Sequence, residues 1–278
     1  MRFEDFARQY GLIIDSLIPF KWMATPTEDH PRKRNGRYKF MGDIGWVQNW
    51  ATMEKPVMWK TDQENTLSPN FLRQRQNFKD EQQKSAEKAS SKAQWILSHC
   101  VNSTHEYLKE KGFPDEEVNV WKTDSGDELL VIPMRRDKTL VGCQLIDTQG
   151  NKKFLYGQQT KGASFKIGAK GIPIFCEGFA TGLSIREVLK ASNIKYSIHV
   201  CFSASNMQFV ARKFPYGLII ADNDNSHVGE TSARKTGKPY WLSETIGEDF
   251  NDFHRRVGTF QASQALKKKL IEIGGLII

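Results

Sequence analysis

Three groups of acidic residues in this chain have the types and spacing of a divalent-cation site. In LIIADND (Leu218 to Asp224) an apolar run ends in Asp222 and Asp224, two residues apart, so an extended backbone sends both carboxylates to one side. Two carboxylates on one side repel unless a cation lies between them. Glu177 ends a second apolar run in GIPIFCEG, and GEDFNDFH later supplies Asp249 and Asp252. Oxygen-only donors of this kind suit Mg²⁺ or Mn²⁺ far better than zinc. An acid after a strand also caps the next helix in many proteins, so each group alone reads more readily as a cap than as a site. The succession of all three is what points to metal chemistry.

The segments around these acids must position them. From Pro173 the pattern runs strand (Pro173 to Cys176), helix (Ala180 to Ser192), strand (Ser197 to Phe202), helix (Ser205 to Lys213) and strand (Gly217 to Ala221). Strands that alternate with helices predict a parallel sheet, whose ligands sit beyond the carboxyl ends of the strands. Glu177 and Asp222 both fall at such ends. Upstream, ELLVIPM, LVGCQLID and KKFLYG read as short strands divided by turns. Residues 68 to 100 lack Gly, are rich in Gln, Lys, Glu and Ala, and predict a solvated connecting helix with a thin apolar face until Ala93, Trp95 and Ile96. The first twenty residues pattern as a short amphipathic helix ending near Pro19, and 21 to 60, with Gly, Pro, four Trp and an RNG turn, as a small β-rich module. The expected organisation is therefore an N-terminal module (1–66), a helical linker (67–110), a basic subdomain (111–170) and an α/β catalytic domain with a C-terminal helix (171–278).

The chain of 278 residues carries 40 Lys+Arg against 32 Asp+Glu, a net charge of +8 that suits a polyanionic partner. Residues 20 to 60 alone net +4. There Arg32, Lys33, Arg34, Arg37 and Lys39 stand among Tyr38, Trp46 and Trp50, a mixture of cation and stacking surface suited to single-stranded DNA. The spacing leaves open which way Trp46 and Trp50 face, and tryptophans of a small β module also form its core. No run is long and apolar enough for a membrane span and no secretory signal is legible, so a cytoplasmic protein with no membrane partner is expected. Cys100, Cys143, Cys176 and Cys201 have no zinc-type spacing and read as buried free thiols, with no zinc expected.

The motifs FCEGFATGLS (Phe175 to Ser184), LIIADND and EDFNDFH together resemble the Toprim domain, a metal-binding fold of primases, topoisomerases, recombination mediators and some nucleases. More narrowly the text looks like the Toprim DNA primases of bacteriophages and conjugative plasmids. Their EGxATxLS, DND and DFNDLH patterns are matched here with Phe253 in place of the last Leu. LLVIPMRRDKTLVGCQLIDTQGNKKFLYGQQTKGASFKIG is similar to the segment those primases place before Toprim, and PRKRNGRYKFMGDIGWVQNW to their N-terminal module. The resemblance implies a Rossmann-like parallel sheet with flanking helices. It implies a nucleotidyltransferase that makes short RNA primers on single-stranded DNA from nucleoside triphosphates, with two Mg²⁺ or Mn²⁺ ions. Asp222, Asp224, Asp249 and Asp252 would be metal ligands, and Glu177 would bind metal or handle the proton of the attacking hydroxyl. Gly178 would give a phosphate room, or be a plain strand-to-helix turn, and Lys152, Lys153, Lys161 and Lys166 would meet template or nucleotide.

The chain departs from the family in lacking a zinc ribbon and a Walker loop, which makes a separate replicative helicase the expected partner. The short segment between DND and EDFND predicts a trimmed last part of the sheet. His254 follows DFND closely enough to approach the metal site, whereas His30, His99, His105, His199 and His227 read as structural or exposed. A Toprim nuclease, whose acids would activate water, stays open as a rival; so does an inactive nucleic-acid-binding accessory.

Overall fold

The computed structural model describes residues 1–61, 68–224 and 228–272, so the boundary expected at 66/67, His227 and residues 273–278 lie outside the described residues. The chain divides into two compact units, Met1–Lys84 and Ser85–Ile278.

In the first unit α1 (Phe3–Gln9) is followed by β1 (Trp22–Thr25), β2 (Gly36–Phe40), β3 (Ile44–Asn49) and β4 (Val57–Lys60), which pair antiparallel in chain order. The helix expected over the first twenty residues stops at Gln9, because Gly11 at φ 72° turns the chain and Leu12 then bridges to Thr27. Period-two alternation divides the sheet. Tyr38, Val47 and Trp59 point into a core with Phe3 and Leu12, while the cross-strand row Trp22, Lys39, Trp46 and Met58 lies on the opposite face. The predicted connecting helix is α2 (Pro69–Ser98), and the division between units falls inside it. Its early residues Phe71 and Phe78 meet Phe20; further on Ala89, Ala93 and Ile96 are buried with Val131, Leu140 and Cys143.

The second unit begins with β5 (Val101–Ser103), α3 (Glu106–Glu110), β6 (Val118–Lys122), β7 (Glu128–Arg136), β8 (Thr139–Ile146) and β9 (Lys152–Phe154), whose strands make an antiparallel sheet in chain order. Then come β10 (Phe165–Ile167), β11 (Ile172–Cys176), α4 (Phe179–Ala191), β12 (Tyr196–Val200), α5 (Ala204–Ala211), β13 (Leu218–Ile220), α6 (Val228–Arg234), β14 (Tyr240–Trp241) and α7 (Phe250–Glu272). These strands are ordered β10-β12-β11-β13-β14, with β11 to β14 parallel and β10 antiparallel at the edge. Ile174, Cys176, Ile198 and Ile220 face the cluster that holds α4 and α7, and Phe175, Ile219 and Ala221 face the one that holds α5 and α6. Helices thus cover both faces, which is why these strands read as continuous apolar runs. The segment after DND does not trim the sheet: it supplies α6 and adds β14 beside β13. Helix α7 is interrupted at Gly258, at φ 79°. Cys143, Cys176 and Cys201 are buried free thiols and Cys100 is half-buried. No helix among the described residues is long and apolar enough to cross a membrane.

Candidate functional site

Strands β11 and β13 are parallel neighbours, with Ile174 opposite Leu218 and Phe175 opposite Ile219, so the residues just past their carboxyl ends emerge side by side. Those residues are Glu177 and Asp222. They line one cleft of about 150 Å³ together with Asp249, Tyr107, Lys111 and Lys152. Burial raises the pKa of Glu177, opposed by a hydrogen bond from the Ala204 amide. Burial, then the charges of Glu177 and Asp249, push Asp222 up to about 7, with Lys152 acting the other way. Asp222 Oδ1 is buried and accepts no hydrogen bond among the described residues. A buried carboxylate oxygen that feels the charges of Glu177 and Asp249 is relieved either by a proton or by a cation. The donors here are hard oxygens, which fit Mg²⁺ or Mn²⁺. No three His, Cys, Asp or Glu side chains among the described residues converge into a ready-made metal set, so the fit rests on donor chemistry and on the orphaned oxygen.

The remaining acids divide. Asp224 is exposed and outside the cleft lining, acting on Asp222 and Glu177 through its charge. Between the two aspartates Asn223 is buried: its amide nitrogen donates to the Ser243 and Thr245 carbonyls, and its own carbonyl accepts from Gly247 at 2.6 Å. In EDFND, Asp249 serves twice, lining the cleft and accepting from the Asp252 amide at 2.9 Å as the N-cap of α7. Glu248 is held by Arg256 and Ser243. Phe250 is core, and Asn251 donates to Ser184 Oγ and the Lys111 carbonyl. Asp252, expected as a ligand, lies three residues past the cap and outside the cleft lining, and pairs at 3.7 Å with Lys111, which does line the cleft.

Gly178 is the N-cap of α4, and a Cβ there would meet nothing nearer than Thr181 Oγ1 at 3.4 Å. Neighbouring atoms therefore do not demand glycine, although Gly178 does line the cleft. Of the four lysines only Lys152 reaches the cleft. Lys153 points to the other side of β9 by alternation, Lys161 lies 4.3 Å over the Phe209 ring, and Lys166 donates to the Ala169 carbonyl at 2.7 Å. His254 is not at the carboxylates; it bonds Ser184 Oγ and Thr259 Oγ1 and lines a separate cleft with Glu116 and Arg186. Tyr107, Lys111, Gln144 and Phe202 line the carboxylate cleft without a sequence signal. Phe202 has φ 69°, a strained conformation for a bulky side chain, and its amide donates to the Glu177 carbonyl at 2.9 Å. Gly229 is a further silent requirement: a Cβ there would stand 2.3 Å from the Asp222 carbonyl oxygen.

In the first unit Trp22 and Trp50 are 41% and 48% exposed, and the Arg37 guanidinium lies 4.6 Å and 5.9 Å from their ring centroids. Trp22 belongs to this surface although the basic motif pointed only to Trp46 and Trp50. Trp46 is half-buried beside Lys39 on the same face, and Arg32, Lys33 and Arg34 are exposed. Tyr38, expected to stack, is instead core at 3% exposure: it lies on the other side of β2, and its hydroxyl donates to the Ser16 carbonyl and accepts from the Ile18 amide.

No family model matches the chain, and no curated protein matches it. Among solved structures it is similar to a chain from a structure of bacteriophage T7 lagging-strand DNA polymerase interacting with primase domains of two gp4 subunits bound to an RNA/DNA hybrid and dTTP. The identity is 14% and the TM-score 0.43, over 64% of this chain and 94% of that one. A likeness of that TM-score is too loose to assign an activity or a partner to this chain.

Proposed function

We propose that this protein is a template-directed primase that joins nucleoside triphosphates into short RNA on single-stranded DNA. The observation that supports the reading is Asp222 Oδ1, buried and without a hydrogen-bond partner among the described residues, in a cleft shared with Glu177 and Asp249 beyond the carboxyl ends of two parallel strands. Asp222, Glu177 and Asp249 would hold Mg²⁺ or Mn²⁺, with Asp224 adding charge. A bound divalent cation supplies neutralisation of the reacting phosphate and of the attacking and leaving oxygens. Lys152 and Lys111 bring positive charge to the same cleft for the phosphates, and Gly178 leaves backbone room beside them. Glu177, its pKa raised by burial, would either join in holding the metal or take the proton of the attacking hydroxyl. The surface formed by Trp22, Arg37, Trp46 and Trp50 would hold single-stranded template by stacking and charge. Unwinding, where it is required, belongs to a separate helicase.

Acids of this kind would equally activate water in a nuclease. The resemblance of KKFLYG and KGASFKIG to primase segments favours the polymerising reading. The deciding assay incubates the protein with single-stranded circular DNA, Mg²⁺ or Mn²⁺ and labelled nucleoside triphosphates, beside Asp222→Asn. Template-dependent short products that vanish in the variant support a primase. Cut template means a nuclease, and template bound but neither copied nor cut means a binding protein.

A further inference from the structure

The second unit contains a larger cavity that the carboxylate chemistry does not use. It measures about 590 Å³, within the range of small-molecule sites, and shares no lining residue with the carboxylate cleft. Four elements build it: the turn between β7 and β8, the loop leading into β10, strand β12 and the end of α5. Its charged lining is Arg135, Lys138, Lys166 and Lys213 against Asp137, an excess of cations. Asp137 is engaged by Lys213 at 2.9 Å. Lys138 has no ion-pair partner among the described residues. Arg135 makes a single long side-chain bond, 3.4 Å to the Lys138 carbonyl. Phe165, Val210 and Phe214 supply an apolar part of the wall, beside the polar Ser164 and His199.

The walls are set in advance. Buried Asn206 accepts from the Gly162 amide at 2.6 Å and donates to the Ala163 and Cys201 carbonyls at 2.8 Å, which fixes the loop on α5. Arg135 and Ser164 exchange both backbone hydrogen bonds. His199, 7% exposed, bonds Ser164 Oγ and Ser197 Oγ and packs against the Phe175 and Phe214 rings, which also touch each other. Burial first, then Lys166, lowers its pKa to about 4, so it lines the cavity as a neutral, polar ring. A preformed cavity with cations on its rim and an aromatic wall matches an anion that carries a flat ring; a bare phosphate would leave the apolar wall wet.

We propose that this cavity binds a free nucleoside phosphate, its phosphates on Arg135 and Lys138 and its base against Phe214. The site is separate from the carboxylates and its occupancy does not depend on them.

The test is equilibrium binding of a ribose-labelled fluorescent ATP to the full chain in EDTA, with unlabelled ATP, pyrophosphate and a single-stranded oligonucleotide as competitors. Arg135→Ala/Lys138→Ala, both at exposed positions, is expected to weaken binding at least tenfold while the thermal melt stays unchanged. Phe214→Leu is expected to weaken ATP but not pyrophosphate, and Asp222→Asn to bind as the wild type does. The proposal fails if ATP does not bind without divalent cations, or if the double variant binds as tightly as the wild type. It also fails if ATP and pyrophosphate compete equally and Phe214→Leu is silent, or if the oligonucleotide displaces ATP through Arg135 and Lys138, which would make the cavity a strand path.

Discussion

Replacing Asp222 by asparagine should make the metal-free protein more stable while abolishing cation binding. In the folded chain the Asp222 pKa is about 7, against an ordinary 3.8. An acid with a raised folded pKa leaves the folded state holding more protons between those two values, so stability falls as pH rises from about 4 to about 7 and the full cost stands above that. The distance between the two values sets a ceiling of about 4 kcal/mol, and relaxation in a partly solvated cleft reduces it to roughly 2 kcal/mol. An asparagine side chain would keep the shape without the charge. At about 2–4 °C per kcal/mol for a unit of this size, Asp222→Asn should raise Tm by about 4–8 °C at pH 8 in EDTA. The gap should narrow at pH 5, where the wild-type carboxyl is largely protonated. Adding Mg²⁺ should raise the wild-type Tm by mass action and leave the variant where it was. A variant less stable than wild type in EDTA at pH 8, or one that Mg²⁺ stabilises equally, would refute both the strained-carboxylate argument and the cation site.

Gly229→Ala should destabilise the protein by about 1–3 kcal/mol in urea melts and blunt Mg²⁺ stabilisation, because the added methyl collides with the Asp222 backbone rather than with a movable side chain. The buried His199 has a folded pKa of about 4 against an ordinary 6.5, so the unfolded chain binds more protons in between and stability should decline as pH falls through that window, by at most about 3 kcal/mol; an NMR titration showing His199 protonated at pH 6 would sink this. Trp22→Ala and Trp50→Ala should each weaken single-stranded DNA binding by about 1–3 kcal/mol, and Arg37→Ala should also lower the salt dependence by about one counterion, as fluorescence titrations at several salt concentrations would show. Tyr38→Phe, by contrast, should cost stability through its lost Ser16 and Ile18 hydrogen bonds and leave DNA affinity alone.

Much of the sheet was legible because burial on both faces forces apolar runs, and turns and helices punctuate them. Strands β11, β12 and β13 and helices α4 and α5 lie within a residue or two of where periodicity puts them. The acids at the strand ends were legible for the same reason: Glu177 and Asp222 follow the last apolar residue of their strands. Local pattern alone could not sort EDFND, in which five consecutive residues do different work as Arg256 partner, cleft acid and cap, core ring, α4 anchor and Lys111 partner. Asp249 and Asp252 are three apart, a spacing that puts both on one side of a helix, so spacing could not separate them and only the packed structure puts Asp249 in the cleft lining and Asp252 on Lys111. Nor could alternation along β2 say which face is wet: Tyr38 and Arg37 are adjacent, and the side chosen by Phe3 and Trp59 turned one inward and the other out. The acidic residues and their order were thus properties of the sequence itself. The tertiary structure decided which of them share a cleft, which lysine joins them, and that Lys111, Tyr107 and the strained Phe202 complete it, because these arrive from elements far apart in the chain that meet only when both sheets are packed.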